Sequence, residues 1–277
     1  GPRRSLRAFV EALDRAGRDG SVRGVVLRIG PSDAGWARLG ELRAAIGRFR
    51  KTGKPVYAHL ESGGNAEYYL ASACDRIFAV PTGILDVSGL SSEVTFFAGT
   101  FEKLGVEAQF EGVGKYKNAP NQYTERGFTE PHREQMEALV GSLYEQYLAA
   151  IAAGRHKSRD EAQALVDGGP YDARQAVAAG LVDELVYADE LEGRFKDASR
   201  LTVGRYLRSD GPSAFDTRPR LALVYVVGEI ASGRSSRGGL GGDVAGSGSV
   251  ATAIRKARED EGVRVLVARI DSPGGSG

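Results

Sequence analysis

The chain has one cysteine, one methionine and three histidines in 277 residues. A single cysteine excludes an internal disulfide and a cysteine-rich metal site. The setting Ala71-Ser72-Ala73-Cys74 reads as a small buried position. His59, His132 and His156 are scattered without metal-ligand spacing, so no metal and no other cofactor is expected. His59 falls in a strand and reads as a core residue, whereas His132 and His156 fall at helix ends and are expected to be solvated. A charge excess is also missing. There are 37 Lys and Arg against 36 Asp and Glu, a net charge of +1, which argues against a nucleic-acid partner. The longest uncharged run, Val244–Ile254, is rich in Gly and Ser; a membrane span needs about 18 apolar residues. No leader pattern is visible. No GxSxG elbow, P-loop or GxGxxG after a strand is found. Gly238-Gly-Leu-Gly-Gly242 lacks the Lys-Ser/Thr pair that would hold phosphates, and a mobile loop is expected there. Ser62 has no His or Lys partner within sequence reach and reads as a turn residue.

What is present is an ordinary globular balance, 42% hydrophobic and 26% charged, with enough apolar residues for a sizeable core. The 38 glycines are about twice the ordinary share and follow no Gly-X-Y period, so they belong to loops. Apolar residues at Leu6, Phe9, Val10 and Leu13 follow Ser5 with helical spacing. Val22–Ile29 is a β-branched run, and Leu39, Leu42, Ile46 and Phe49 mark a second helix. Val56–Leu60 and Arg76–Val80 read as strands around a short helix near Tyr68–Ala73. A helix is expected around Phe96–Leu104 and a strand over Val106–Val113. The longest helix is predicted near Pro131–Ala153, and Ser158-Arg-Asp-Glu161 is a capping box for the next. A helix over Asp172–Ala179, capped by Gly180, leads into an extended segment at Leu181–Val186. Strands then recur at Leu221–Val227 and Arg264–Ile270, with a helix from Val250 between them. Helices alternating with strands predict an α/β fold with a largely parallel sheet.

The chain repeats itself. A shift of 241 residues lays Val22–Ile29 on Val263–Ile270 with five of eight positions identical, and the preceding helices agree in pattern at Phe9/Val250, Leu13/Ile254 and Ala16/Ala257. Duplication is the better reading of this shared helix–strand register. Three regions are expected: a first domain over 1–208, a linker of Ser, Pro and Gly character over 209–219, and the start of a second domain over 220–277. The chain opens on Gly1-Pro2-Arg3-Arg4 without Met and stops after a strand at Gly277, so it is expected to be part of a longer polypeptide.

Two places could carry chemistry. Asp271-Ser272-Pro273-Gly274-Gly275 follows a strand, and ligands sit at the carboxyl ends of parallel strands. Bare glycine amides there could hold an oxyanion; on this motif alone a tight turn is the simpler reading. The first copy has Gly30-Pro-Ser-Asp-Ala-Gly35 at the same place and has lost the paired glycines. The second place is the loop Gly114-Lys115-Tyr116-Lys117-Asn118-Ala119-Pro120. A lysine becomes a general base only when its ammonium is desolvated, and spacing alone does not say whether Lys115 or Lys117 faces inward.

Taken with Gly53-Lys-Pro-Val-Tyr-Ala58, Tyr68–Ile77, Gly112–Asn118, Gly180-Leu-Val-Asp183 and Asp271–Gly275, these stretches are similar to the signal peptide peptidase A, or protease IV, family over nearly the whole chain. The resemblance implies two tandem crotonase-like (Clp protease-like) α/β domains, the second truncated. It implies a membrane-associated serine peptidase with a Ser/Lys dyad. The family lysine falls on Lys117 and the oxyanion-hole turn on Gly274 and Gly275. The nucleophilic serine would lie beyond Gly277; Ser272 and Ser276 do not match it. In the first domain the nucleophile position falls near Asn65, which cannot attack a carbonyl. Asn118 stands where relatives often carry a small hydroxyl residue. Implied partners are peptides such as cleaved signal peptides and further copies of the chain, a tetramer being expected. Implied too is a place at the cell membrane on its extracytoplasmic side, held by a segment outside this chain. Two other readings compete: a crotonase-type acyl-CoA enzyme, against which the broken turn at Gly30–Gly35 speaks, and a non-catalytic module that scaffolds oligomers.

Overall fold

A computed structural model describes residues 5–32, 34–195, 197–208, 220–239 and 242–275. They divide into two compact units, with the division after Ser209. The stretch 209–219, expected to be a linker, lies outside the described residues.

In the first unit the elements in order are α1 (Leu6–Arg18), β1 (Val25–Ile29), α2 (Trp36–Arg50), β2 (Val56–Leu60), α3 (Asn65–Ala71), β3 (Arg76–Ala79), β4 (Ile84–Leu85), α4 (Ala98–Lys103), α5 (Asn121–Thr124), α6 (Glu130–Arg155), α7 (Arg159–Asp167), β5 (Tyr171–Asp172), α8 (Ala173–Ala178), β6 (Glu184–Leu185), α9 (Ala188–Gly193) and α10 (Val203–Arg208). The Ser5 hydroxyl accepts from the Ala8 amide and starts α1, and Ser158 and Glu161 close the expected capping box on α7. The main sheet runs β1-β2-β3-β6, and every pairing in it is parallel.

Period-two alternation decides which side chains meet which layer. On one face Val56, Ala58, Leu60, Ile77 and Ala79 join the large core with Leu13, Leu39, Ile46 and Phe49 of α1 and α2 and Tyr147, Leu148 and Ile151 of α6. Each fully buried Leu, Ile or Phe contributes about 1.5–3 kcal/mol. On the other face Phe78 packs with Val186 and Leu191, flanked by Tyr57 and Phe195. His59 points to this side and is buried, its Nε2 lying 3.1 Å from the Val186 carbonyl oxygen, as expected of a core residue.

The second unit contains β7 (Arg220–Val227), β8 (Glu229–Ala231), β9 (Ser236–Gly239), β10 (Gly242–Gly246), α11 (Ser247–Glu259) and β11 (Val263–Asp271). β11 pairs in parallel with β7, and β8, β10 and β9 form a second small sheet. The 241-residue shift that aligns the repeated strands carries the bounds of α1 onto those of α11.

Several expectations need correction. Val106–Val113 is not a strand. It alternates in polarity, but a strand also needs a neighbour for its ladder of hydrogen bonds. None lies alongside it among the described residues, and Val113 is 97% exposed. The first strand of the chain begins at Val25 rather than Val22, where the Val25 amide first meets the Pro55 carbonyl. The glycine-rich stretch read as a mobile loop ends β9 and begins β10, which pair antiparallel; Leu240 and Gly241 lie outside the described residues. His132 is 6% exposed, not solvated. It sits among the rings of Phe96 and Phe128, because those residues fold back over the first turn of α6.

Candidate active site

The loop that carries the two lysines is pinned to the first turns of α6. The Tyr116 hydroxyl donates to Glu134 Oε1 at 2.7 Å. Lys115 reaches Glu134 Oε2 at 3.4 Å and lies over the Tyr116 ring, 4.4 Å from its centroid. Hydrogen bonding with Tyr116, helped by the Glu134 charge beside it, outweighs desolvation and raises the Lys115 pKa above the ordinary value. A lysine held as an ammonium is a poor proton acceptor. Lys115 is thus engaged with α6, whereas spacing alone left the two lysines equal.

Lys117 is the one without such a partner. Its side chain is exposed, and no hydrogen bond or ion pair engages its ammonium among the described residues. Its stem runs over Gly112, where a Cβ would come within 3.3 Å of Lys117 Cγ. Asn118 turns the opposite way and is 7% exposed. Its Nδ2 donates to Gln135 Oε1 at 2.8 Å, and its Oδ1 accepts from Asn121 Nδ2 at 3.3 Å. Asn118 thus anchors the loop to the fold through α6 and α5. Glu134 and Gln135 are not singled out by the sequence. Their only trace there is a polar first turn following Pro131, a pattern shared by many solvated helices.

In the second unit, the turn after β11 places Gly274 and Gly275 at φ +110° and +149°, a region that favours glycine. A Cβ on Gly275 would lie 2.0 Å from the Ile230 carbonyl oxygen. The Ile230 amide donates to the Gly274 carbonyl at 2.8 Å, and the Gly274 amide donates to Ser272 Oγ at 3.0 Å. Close backbone approach to β8 thus requires glycine at 275, and the positive φ favours it at 274. Ser276 and Gly277 lie outside the described residues.

The corresponding turn of the first unit is filled from within. Glu67, 7% exposed, accepts from the Ser32 amide at 2.8 Å through Oε1 and from the Gly64 amide at 2.8 Å through Oε2. Asn65 is also committed. Its Oδ1 accepts from the Tyr147 hydroxyl at 3.0 Å and from the Ser88 amide at 3.1 Å, while its Nδ2 donates to the Gly89 carbonyl. Ser62 is exposed at a turn, its Oγ 3.4 Å from the Ile84 amide. Amides at the end of β1 and the start of α3 therefore already hold a carboxylate of the chain itself.

A mostly parallel α/β unit with a lysine loop leading to a long helix is the arrangement that the comparisons with known proteins address. Residues 48–202, a span that includes the Lys117 loop and α6, match Peptidase family S49. The chain belongs to peptidase family S49, and the similarity to the protease IV group read from its motifs holds. It is 28% identical to the serine protease SPPA, chloroplastic, of Arabidopsis thaliana over 98% of this chain and 42% of that protein. It is 30% identical to Protease 4 of Salmonella typhi over 98% of this chain and 46% of that protein. To Protease 4 of Haemophilus influenzae it is 28% identical over 96% of this chain and 46% of the relative. The chain thus spans under half the length of these relatives. No helix among the described residues is long and apolar enough to cross a membrane.

Proposed function

We propose that this chain supplies the general base and the oxyanion-binding turn of a Ser/Lys peptidase. In this reading the chain holds a crotonase-like domain and the start of a second, and the nucleophilic serine follows Gly277. The observation that carries it is the family match across the Lys117 loop, combined with the commitment of Lys115 to Glu134. Neutral Lys117 takes the proton of the serine hydroxyl as the serine oxygen attacks the peptide carbonyl carbon. The negative charge moves to the carbonyl oxygen, where amides of the Gly274–Gly275 turn stabilise it, the Gly274 amide leaving Ser272 Oγ to do so. Collapse breaks the C–N bond, and the leaving amine takes the proton back from Lys117. Water then attacks the acyl-enzyme, giving its proton to the lysine, and the acid product leaves as serine is restored. No histidine enters this scheme.

A base of this kind requires a desolvated amine. Lys117 is exposed in the first unit taken alone, so its cover in this scheme comes from chain beyond that unit or from further copies assembled as a tetramer. The substrates are peptides such as cleaved signal peptides, and the membrane anchor lies in another segment, with the catalytic part on the extracytoplasmic side. The internal filling of the first unit's turn by Glu67 supports a division of labour in which that unit gives the base but no oxyanion site. It also weighs against an acyl-CoA enzyme built on that unit.

The test is Lys117→Ala in the polypeptide extended through the serine segment. Peptide hydrolysis is expected to fall by about 10²–10⁴; turnover at the wild-type rate would refute the base assignment. The 277-residue chain of 29.4 kDa is expected to be inactive alone, and hydrolysis by purified material of that intact mass contradicts a nucleophile beyond Gly277.

A further inference from the structure

Lys117 has a pinned residue on each side, and both pins end on consecutive residues of α6. Tyr116 is held by Glu134 at 2.7 Å and Asn118 by Gln135 at 2.8 Å. Lys115 closes the first pin from the other side of the Tyr116 ring, and Asn121 backs the second, with its Nδ2 shared between Asn118 Oδ1 and Thr129 Oγ1 at 3.3 and 3.1 Å. Backbone bonds complete the frame: the Lys117 amide donates to the Gly114 carbonyl at 3.2 Å, and the Asn118 amide to the Tyr116 carbonyl at 2.9 Å. With both neighbours fixed, the backbone that carries the Lys117 side chain is held against α6.

We propose that Glu134 and Gln135 are positioning residues that fix the backbone from which Lys117 is presented, Glu134 through Tyr116 and Gln135 through Asn118. This rests on the reading of Lys117 as the base. Neither residue touches the reacting atoms. They act by fixing the backbone from which the amine is presented; proton transfer demands a narrow geometry, and a displacement of about 1 Å is enough to lower the rate about 10²-fold. Glu134 is suited to this because the Tyr116 hydrogen bond and the Lys115 charge outweigh its slight burial and keep its carboxylate ionised. Gln135 is suited because its Oε1 satisfies a buried amide that would otherwise lack a strong acceptor.

The experiment uses the full polypeptide that includes the serine segment, assayed on a peptide substrate. Glu134→Ala is expected to lower kcat tenfold or more with KM changed less than twofold. Glu134→Gln should restore most of kcat, because its amide oxygen still accepts from Tyr116. Tyr116→Phe removes the same hydrogen bond without altering the helix and should match Glu134→Ala. Gln135→Ala should also lower kcat at near-constant KM. Wild-type kcat in Glu134→Ala and Tyr116→Phe, or a Glu134→Gln enzyme as slow as Glu134→Ala, overturns the proposal. Lys117→Ala serves as the reference. If it is inactive while Glu134→Ala is unimpaired, positioning alone fails; if Lys117→Ala is itself active, the base reading fails first.

Discussion

Arg155, near the end of α6, and Asp183, just before β6, meet in a two-pronged ion pair. Nη2 lies 2.7 Å from Oδ1 and Nη1 lies 3.1 Å from Oδ2. Arg155 Nε donates to the Gly180 carbonyl at 2.7 Å, and Asp183 Oδ2 also accepts from the Ile77 amide at 2.6 Å. One ion pair thus joins the long helix, the glycine cap after α8 and Ile77 of β3.

Removing that carboxylate should destabilise the first unit, because it strands a guanidinium that is largely buried. Asp183→Ala is expected to lower stability by about 3 kcal/mol, read as a reduced midpoint in urea denaturation. An unchanged midpoint contradicts the account.

The same pair sets an acid limit. Burial pushes the Asp183 carboxyl up, but the bonds from Arg155 and the Ile77 amide, with the Arg155 charge, outweigh it and hold the pKa below the ordinary value. A carboxyl whose folded pKa is depressed stabilises the fold above its unfolded pKa of about 4 and loses that contribution as pH falls through the folded value. Thermal melts of wild type between pH 7 and pH 2 should decline below about pH 4, and Asp183→Asn should show a shallower decline from a lower starting point. Parallel curves would remove Asp183 as a source of the acid sensitivity.

Cys74 should be silent in the folded protein. Burial pushes its thiol up to about 12, and the thiolate is the reactive form. A thiol reagent at pH 8 is expected to find no cysteine in native protein and one per chain after denaturation. Rapid native labelling would show that the α3–β3 turn opens.

Two glycines of α6 should respond in opposite directions. A Cβ at Gly154 would lie 1.9 Å from the Ser72 carbonyl oxygen, whereas nothing lies within 4 Å of one at Gly141. Gly154→Ala is expected to destabilise by about 3 kcal/mol. Gly141→Ala should stabilise by up to about 1 kcal/mol through helix propensity. Shifts of the same sign would mean that the packing of α6 on the α3–β3 turn is misread.

Local patterns settled much of this protein. The Ser5 and Ser158 caps, the apolar spacing of α1 and α2 and the β-branched run at Val25–Ile29 depend on residues within a few positions of one another, so the sequence alone displays them. The family is legible for a similar reason, since Gly112–Asn118 and Asp271–Gly275 are short contiguous motifs. Tertiary structure decided what depends on partners distant in the chain. Val106–Val113 has strand polarity but lacks a ladder neighbour. His132 has the look of a solvated helix end until Phe96 and Phe128 enclose it, and Lys115 and Lys117 look alike until the fold brings Glu134 beside Lys115. Periodicity records a residue's own preference for burial or exposure, whereas hydrogen-bond partners and the rings that exclude water are supplied by segments the local pattern does not contain.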